Sequence, residues 1–116
     1  MGWLSKLFRK RVPTGFGEHA VMISFEYGSN DDAPIAALGE QLRAVIGEKG
    51  LGEYDGHEVA EDGSDGTFFL YGPDAERLLE AVRPLLQANG ALSHLTAHLR
   101  YGEAGRNAPE SVFDLT

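Results

Sequence analysis

The sequence predicts an α+β domain of order β-α-β-β-α-β, a two-layer sandwich in which a four-stranded sheet carries two helices on one face. Two observations predict it. Apolar and other residues alternate through HAVMISFEY at 19–27, the period of a half-buried strand, whereas 29–50 and 73–90 repeat apolar residues at helical spacing between capping residues and a glycine. Between and after those helices lie 52–72 and 91–102, and their order completes a split β-α-β arrangement with right-handed crossovers.

At the N-terminus, residues 1–14, MGWLSKLFRKRVPT, read as a short basic amphipathic segment: Trp3, Leu4, Leu7 and Phe8 share one side, Lys6, Arg9 and Lys10 the other, and Pro13 and Gly15 end it. Such a segment suits weak contact of residues 1–11 with an anionic membrane surface, a frayed terminus, or docking of its apolar side on the body. The single α+β domain spans 15–102. Its GFG at 15–17 precedes a strand rather than following one into a helix, so it is no dinucleotide fingerprint. Val21, Ile23, Phe25 and Tyr27 then alternate with Ala20, Met22, Ser24 and Glu26. The first helix carries Ile35, Leu38, Leu42, Val45 and Ile46 on one face and closes near Gly50 with a left-handed cap.

A second strand at about 52–60, a connection at 61–66 and the strand TFFLYG at 67–72 lead to the second helix. Ala75, Leu78, Leu79, Val82, Leu85 and Leu86 form its stripe, and Pro84 should kink or end it near Arg83 unless the open carbonyl faces water. ALSHLTAHLRYG at 91–102 fits both a helical and a strand period; its place directly after a capped helix makes it the closing strand. Residues 103–116 are a polar, proline-broken tail until Val112, Phe113 and Leu115, either frayed or folded back as a small strand or clamp.

Composition narrows function by exclusion. The absence of cysteine removes disulfides, thiolate metal sites and cysteine nucleophiles, and fits a cytoplasmic chain. No apolar run approaches the ~20 residues of a membrane helix, and the N-terminus lacks the pattern of a secretory signal. The formal charge of −8 joins two unlike parts, since Lys6, Arg9, Lys10 and Arg11 precede a body that holds all 18 acidic residues. That body repels phosphate backbones, so no nucleic acid is expected for the domain; a basic or polar protein partner fits better.

GEYDGHEVAEDGSDG at 52–66 is the densest run of carboxylates. No register of it meets the calcium-loop pattern. On a regular strand Asp55 and His57 share a face that Glu58 does not, which leaves two nearby ligands, too few for a metal site, and an ordinary solvated edge strand as the competing reading. His94 and His98 are about 13 Å apart along a strand, which separates them as ligands. With Thr96 and Arg100 they lie opposite Leu95, Ala97 and Leu99, on the sheet face left open by the helices, together with Ser24 and Glu26. Either Thr67, Phe69 and Tyr71 or Phe68 and Leu70 join them. Such a face is either a ligand or partner platform or a merely wet sheet. Its candidate residues are Glu26, Asp55, His57, His94, His98 and Arg100; Trp3, Leu4, Leu7 and Phe8 are the candidate membrane or docking residues. No nucleophile elbow and no phosphate-binding loop occur, and no catalytic residue, metal set or cofactor is assigned.

GEYDGHE followed by TFFLYGPDAERL, within roughly 50–85, resembles short, uncharacterised bacterial proteins with a ferredoxin-like α+β fold. The resemblance implies a fold and a bacterial source; it brings no activity, cofactor or site. The expectation is a non-catalytic binding or regulatory domain whose partner is another protein or a second copy, as in neutralisation of a basic toxin by an immunity protein. The alternative is a small-molecule- or metal-dependent enzyme that uses the open sheet face.

Overall fold

Seven elements account for most of the chain. A computed structural model describes residues 18–105 and 107–115, and in it the order is β1 (His19–Glu26), α1 (Ala33–Glu48), β2 (Glu53–Val59), β3 (Asp65–Gly72), α2 (Ala75–Ala88), β4 (Ser93–Arg100) and β5 (Glu110–Asp114). The strands form one sheet in the spatial order β2-β3-β1-β4-β5, and every neighbouring pair is antiparallel. The sheet therefore has five strands where four were expected. ESVFD, inside the expected tail, alternates well enough to pair with β4, aligning Phe113 with Ala97 and Val112 with His98.

Leu115, just beyond β5, clamps that strand in place. Its amide donates to the Leu95 carbonyl at 2.8 Å, and its own carbonyl accepts from Gln87 Nε2 of α2 at 3.0 Å. The Leu115 side chain is buried, so this residue ties β4 to α2.

Alternation decides which residues meet the helices. Val21, Ile23 and Phe25 of β1, Tyr54 of β2, Phe68 and Leu70 of β3, and Leu95, Ala97 and Leu99 of β4 join one core with α1 and α2. From α1 come Ile35, Leu38, Leu42 and Ile46, and from α2 Ala75, Leu78, Leu79, Val82 and Leu86. Each large side chain removed from water in this way contributes roughly 1.5–3 kcal/mol. Gly50 closes α1 at φ +64°, and the Leu51 amide reaches back to the Ile46 carbonyl at 3.0 Å.

Pro84 does not end α2, which runs on to Ala88. Pro84 and Glu80 are both exposed, so the Glu80 carbonyl that loses its helical donor meets water, where a proline costs least. Among the described residues, no helix is long and apolar enough to cross a membrane.

Candidate functional site

Register arranges the face opposite the helices into rows that cross the sheet. The first row is Glu58, Thr67, Ser24, Thr96 and Asp114, one residue from each strand. The second holds Phe69, Met22, His98 and Val112, and the third Glu53, Tyr71, Ala20, Arg100 and Glu110. Carboxylates consequently stand at both borders, Glu53 and Glu58 on β2 and Glu110 and Asp114 on β5, with Ala20, Met22, Phe69 and Tyr71 between them.

Thr96, His98 and Arg100 share this face with Ser24, and of the two sets proposed for β3 it is Thr67, Phe69 and Tyr71 that join them. The expected open, wet face is corrected at its centre. Ala20, Met22 and Tyr71 are 0% exposed and Phe69 1%. No helix or strand among the described residues packs on this side, because α1 and α2 both belong to the opposite core. His98 and Arg100 are also buried, His98 with Nε2 at 2.8 Å from Glu110 Oε1 and Arg100 donating from Nε to the Gly102 carbonyl at 2.6 Å.

A cleft of about 580 Å³ opens at the far end of the same face, lined by Ser24, Glu26, Glu58, Thr67, Phe69, His94 and Thr96 among others. The β1–β4 register slips between Ser24 and Glu26, and His94 takes φ +50° there, which turns its ring toward Glu26. His94 Nδ1 and Glu26 Oε1 are 3.0 Å apart, with both side chains largely in solvent. Such a pair contributes little to stability. The two expected residues Glu26 and His94 are thus brought together, whereas His98 sits with Glu110 further along the sheet.

Asp55 and His57 do not share a direction, contrary to the alternation expected of a regular strand. Tyr54 pairs with Leu70 and His57 with Phe68, so β2 spends one extra residue between them, and Asp55 and Gly56 together oppose Phe69. Gly56 supports the bulge with φ +97°. His57 is thereby placed on the helix side, its Nδ1 2.9 Å from the Tyr54 hydroxyl and its ring edge-on to Phe68. Burial pushes the Tyr54 phenol up to about 12, against the pull of Arg43, whose guanidinium lies 5.1 Å from the ring centre, and with a smaller push from Glu40.

The acidic connection after β2 is a turn. Asp62 Oδ1 accepts from the Ser64 amide at 2.9 Å, and hydrogen bonding by Ser64, side chain first and then backbone, holds the Asp62 carboxyl below its usual range. The Gly63 carbonyl accepts from Gly28 at 2.6 Å and Ser29 at 3.2 Å, which pins the turn to the β1–α1 loop. Among the described residues, no group of three or more His, Cys, Asp or Glu side chains is placed to hold a metal ion. Trp3, Leu4, Leu7 and Phe8, with the rest of segment 1–14, lie outside the described residues.

Two features are finer than the sequence reading. Alternation gave Ser24 and Thr96 one face, with Thr67 as an alternative, and register sets the three hydroxyls side by side in one row. The apolar Val112 and Phe113 of the tail were legible, but not their exposure, 59% and 39%, on a paired strand β5. No family model matches the chain, and no curated protein and no solved structure matches it.

Proposed function

We propose that this chain is a non-catalytic binding or regulatory domain of ferredoxin-like layout that engages another protein through β5. The observation that carries the reading is the pair Val112 and Phe113, the exposed large hydrophobic residues among those described, on a strand at the border of the sheet. Such an edge invites an added strand. Beside it, Phe113 joins Leu79, Arg83, Pro84 and Leu99 in a groove of about 370 Å³ that Glu76 and Glu80 border. Apolar contact framed by acids suits an apolar segment with basic flanks.

The partner is a different protein more readily than a second copy. Antiparallel self-pairing centred on Val112 sets Glu110 against Asp114 of the other copy twice, and like charges directly opposite are destabilising. A basic toxin neutralised by an acidic domain remains the best example of the class, since opposite charge speeds encounter. Support for the ferredoxin-like layout comes from the strand order β2-β3-β1-β4 with both helices on one side. A bacterial source and a cytoplasmic location rest on the resemblance over 50–85 and on the lack of cysteine.

A photo-crosslinking residue at Val112, with one at exposed Gln41 of α1 as control, tests the reading in cells that make the protein. The expected result is a discrete heavier species from position 112 alone, which Phe113→Lys abolishes and whose mass identifies a second polypeptide. Equal labelling from both positions, or only the free chain, overturns it. A second reading, a small-molecule- or metal-dependent enzyme, draws on the cleft that holds Glu26 and His94. A metabolite or divalent cation that raises the melting temperature by several degrees, with the gain lost in His94→Ala, would favour it.

A further inference from the structure

We propose that the acid-bordered apolar face of the sheet is the docking site of the chain's own residues 1–12, an intramolecular ligand that covers the side the helices leave bare. This docking does not rest on a partner at β5, although β5 lends the face its border residues Glu110, Val112 and Asp114. Burial is the starting point: Ala20, Met22, Phe69 and Tyr71 are excluded from water, and no helix or strand among the described residues accounts for it. A large apolar patch on one side of a sheet is a surface with an occupant.

Chemistry selects the occupant. The face is apolar over β1 and β3, where Ala20, Met22, Phe69 and Tyr71 cluster, has buried His98 and Arg100 beside them on β4, and is bordered by Glu53 and Glu58 on one side and Glu110 and Asp114 on the other. Residues 1–12 present the complement, Trp3, Leu4, Leu7 and Phe8 beside Lys6, Arg9, Lys10 and Arg11, with no acid among them. Dimensions agree. The two border strands are four spacings apart, ~19 Å, while twelve residues in a helix are ~18 Å long and ~10 Å wide, which covers the three inner strands and leaves basic side chains within reach of the borders.

Connectivity makes the contact inexpensive. Glu18 leads directly into β1, the middle strand, is itself buried, and by alternation shares a side with Ala20, so the chain joins the sheet at this face. Pro13, Gly15 and Gly17 provide the means to reverse direction. A tethered segment meets its site at an effective concentration in the millimolar range, so weak intrinsic affinity suffices. An anionic membrane is the poorer occupant, because the border carboxylates repel it. Docking removes Trp3, Leu4, Leu7 and Phe8 from any other use, and a competing basic amphipathic partner has to displace them.

Trp3 is the chain's single tryptophan and reports its own position. In the full chain, acrylamide should quench it several-fold less than in a free peptide of residues 1–17, at every protein concentration. Arg9→Glu with Lys10→Glu, or Glu53→Lys with Glu58→Lys on the exposed border strand, should each restore peptide-like quenching while far-ultraviolet dichroism is retained; combining the two pairs of reversals in one chain should recover protection. Peptide-like quenching in the unaltered chain overturns the proposal. So does protection that disappears on dilution, which would make the occupant a second copy, or protection that requires phosphatidylserine vesicles, which would make it a membrane. Should one charge-reversal pair unfold the body, the other decides, and unchanged protection in it overturns the ionic border.

Discussion

The Tyr54 hydroxyl and Nδ1 of His57 are 2.9 Å apart on the helix side of the sheet, three residues apart in sequence, because β2 inserts one extra residue between them. Without the bulge His57 would point the other way. The pair is where a helix, a bulge and a buried phenol meet, and it yields two predictions.

The first concerns alkaline pH. A free tyrosine loses its proton near pH ~10, whereas burial pushes Tyr54 up to about 12. In that window the folded chain holds a proton that the unfolded chain has released, so stability is fully present below the lower value and falls as pH rises toward the upper one. Urea midpoints between pH 10 and about 12 should decline more steeply in the native chain than in Tyr54→Phe. Parallel declines would remove Tyr54 from the account.

The second concerns the helix above it. A Cβ at Gly39 of α1 would run into the Tyr54 hydroxyl, with the ring carbon behind it at 3.0 Å. Alanine improves helix propensity by about 1 kcal/mol, yet overpacking costs about 1–3 kcal/mol, and the ring has no free end to swing aside. Gly39→Ala should therefore be destabilising by about 1 kcal/mol in urea unfolding. The cost should shrink when Tyr54→Phe removes the oxygen, a coupling that a double-mutant cycle measures.

Asp74 caps α2, its Oδ1 accepting from the amides of Glu76 at 3.1 Å and Arg77 at 3.2 Å. Asp74→Ala should cost about 1 kcal/mol, and Asp74→Ser should recover most of it. Equal losses in the two variants would show that the carboxylate acts by something other than capping.

Leu115 is 4% exposed and closes the β4–β5 ladder against α2. Leu115→Ala should cost about 2 kcal/mol, the low end for a buried leucine because the neighbouring residues of β5 are exposed and free to relax around it. Amide exchange of β5 should accelerate before that of β1. Val112→Ser, at an exposed position, should stay within about 0.5 kcal/mol. A stability loss as large as that of Leu115→Ala would place Val112 in the core instead.

Local pattern carried much of the architecture. Val21, Ile23 and Phe25 announce their shared face by spacing alone, and Ile35, Leu38, Leu42 and Ile46 mark the buried stripe of α1 just as directly. Both depend only on backbone period and the tendency of apolar groups to leave water. The tail was ambiguous because five alternating residues are too few to bury much area; ESVFD becomes a strand only when β4 offers a ladder and Gln87 a partner for the Leu115 carbonyl just beyond it. For the site, the placement of Thr96, His98 and Arg100 beside Ser24 was legible from alternation, whereas the turn of His57 away from Asp55 was not.

Alone, then, the sequence determined the order of the first six elements, the sides of the two helices that are buried, the acidity of the body and the basic character of residues 1–11. Those are properties of neighbouring residues. Tertiary structure decided the fifth strand, the bulge at Gly56, the row of Ser24, Thr67 and Thr96, and the burial of the sheet's second face. Register is the physical reason, since a shift of one residue moves every later side chain to the opposite face, and that choice is made by contacts between strands far apart in the chain.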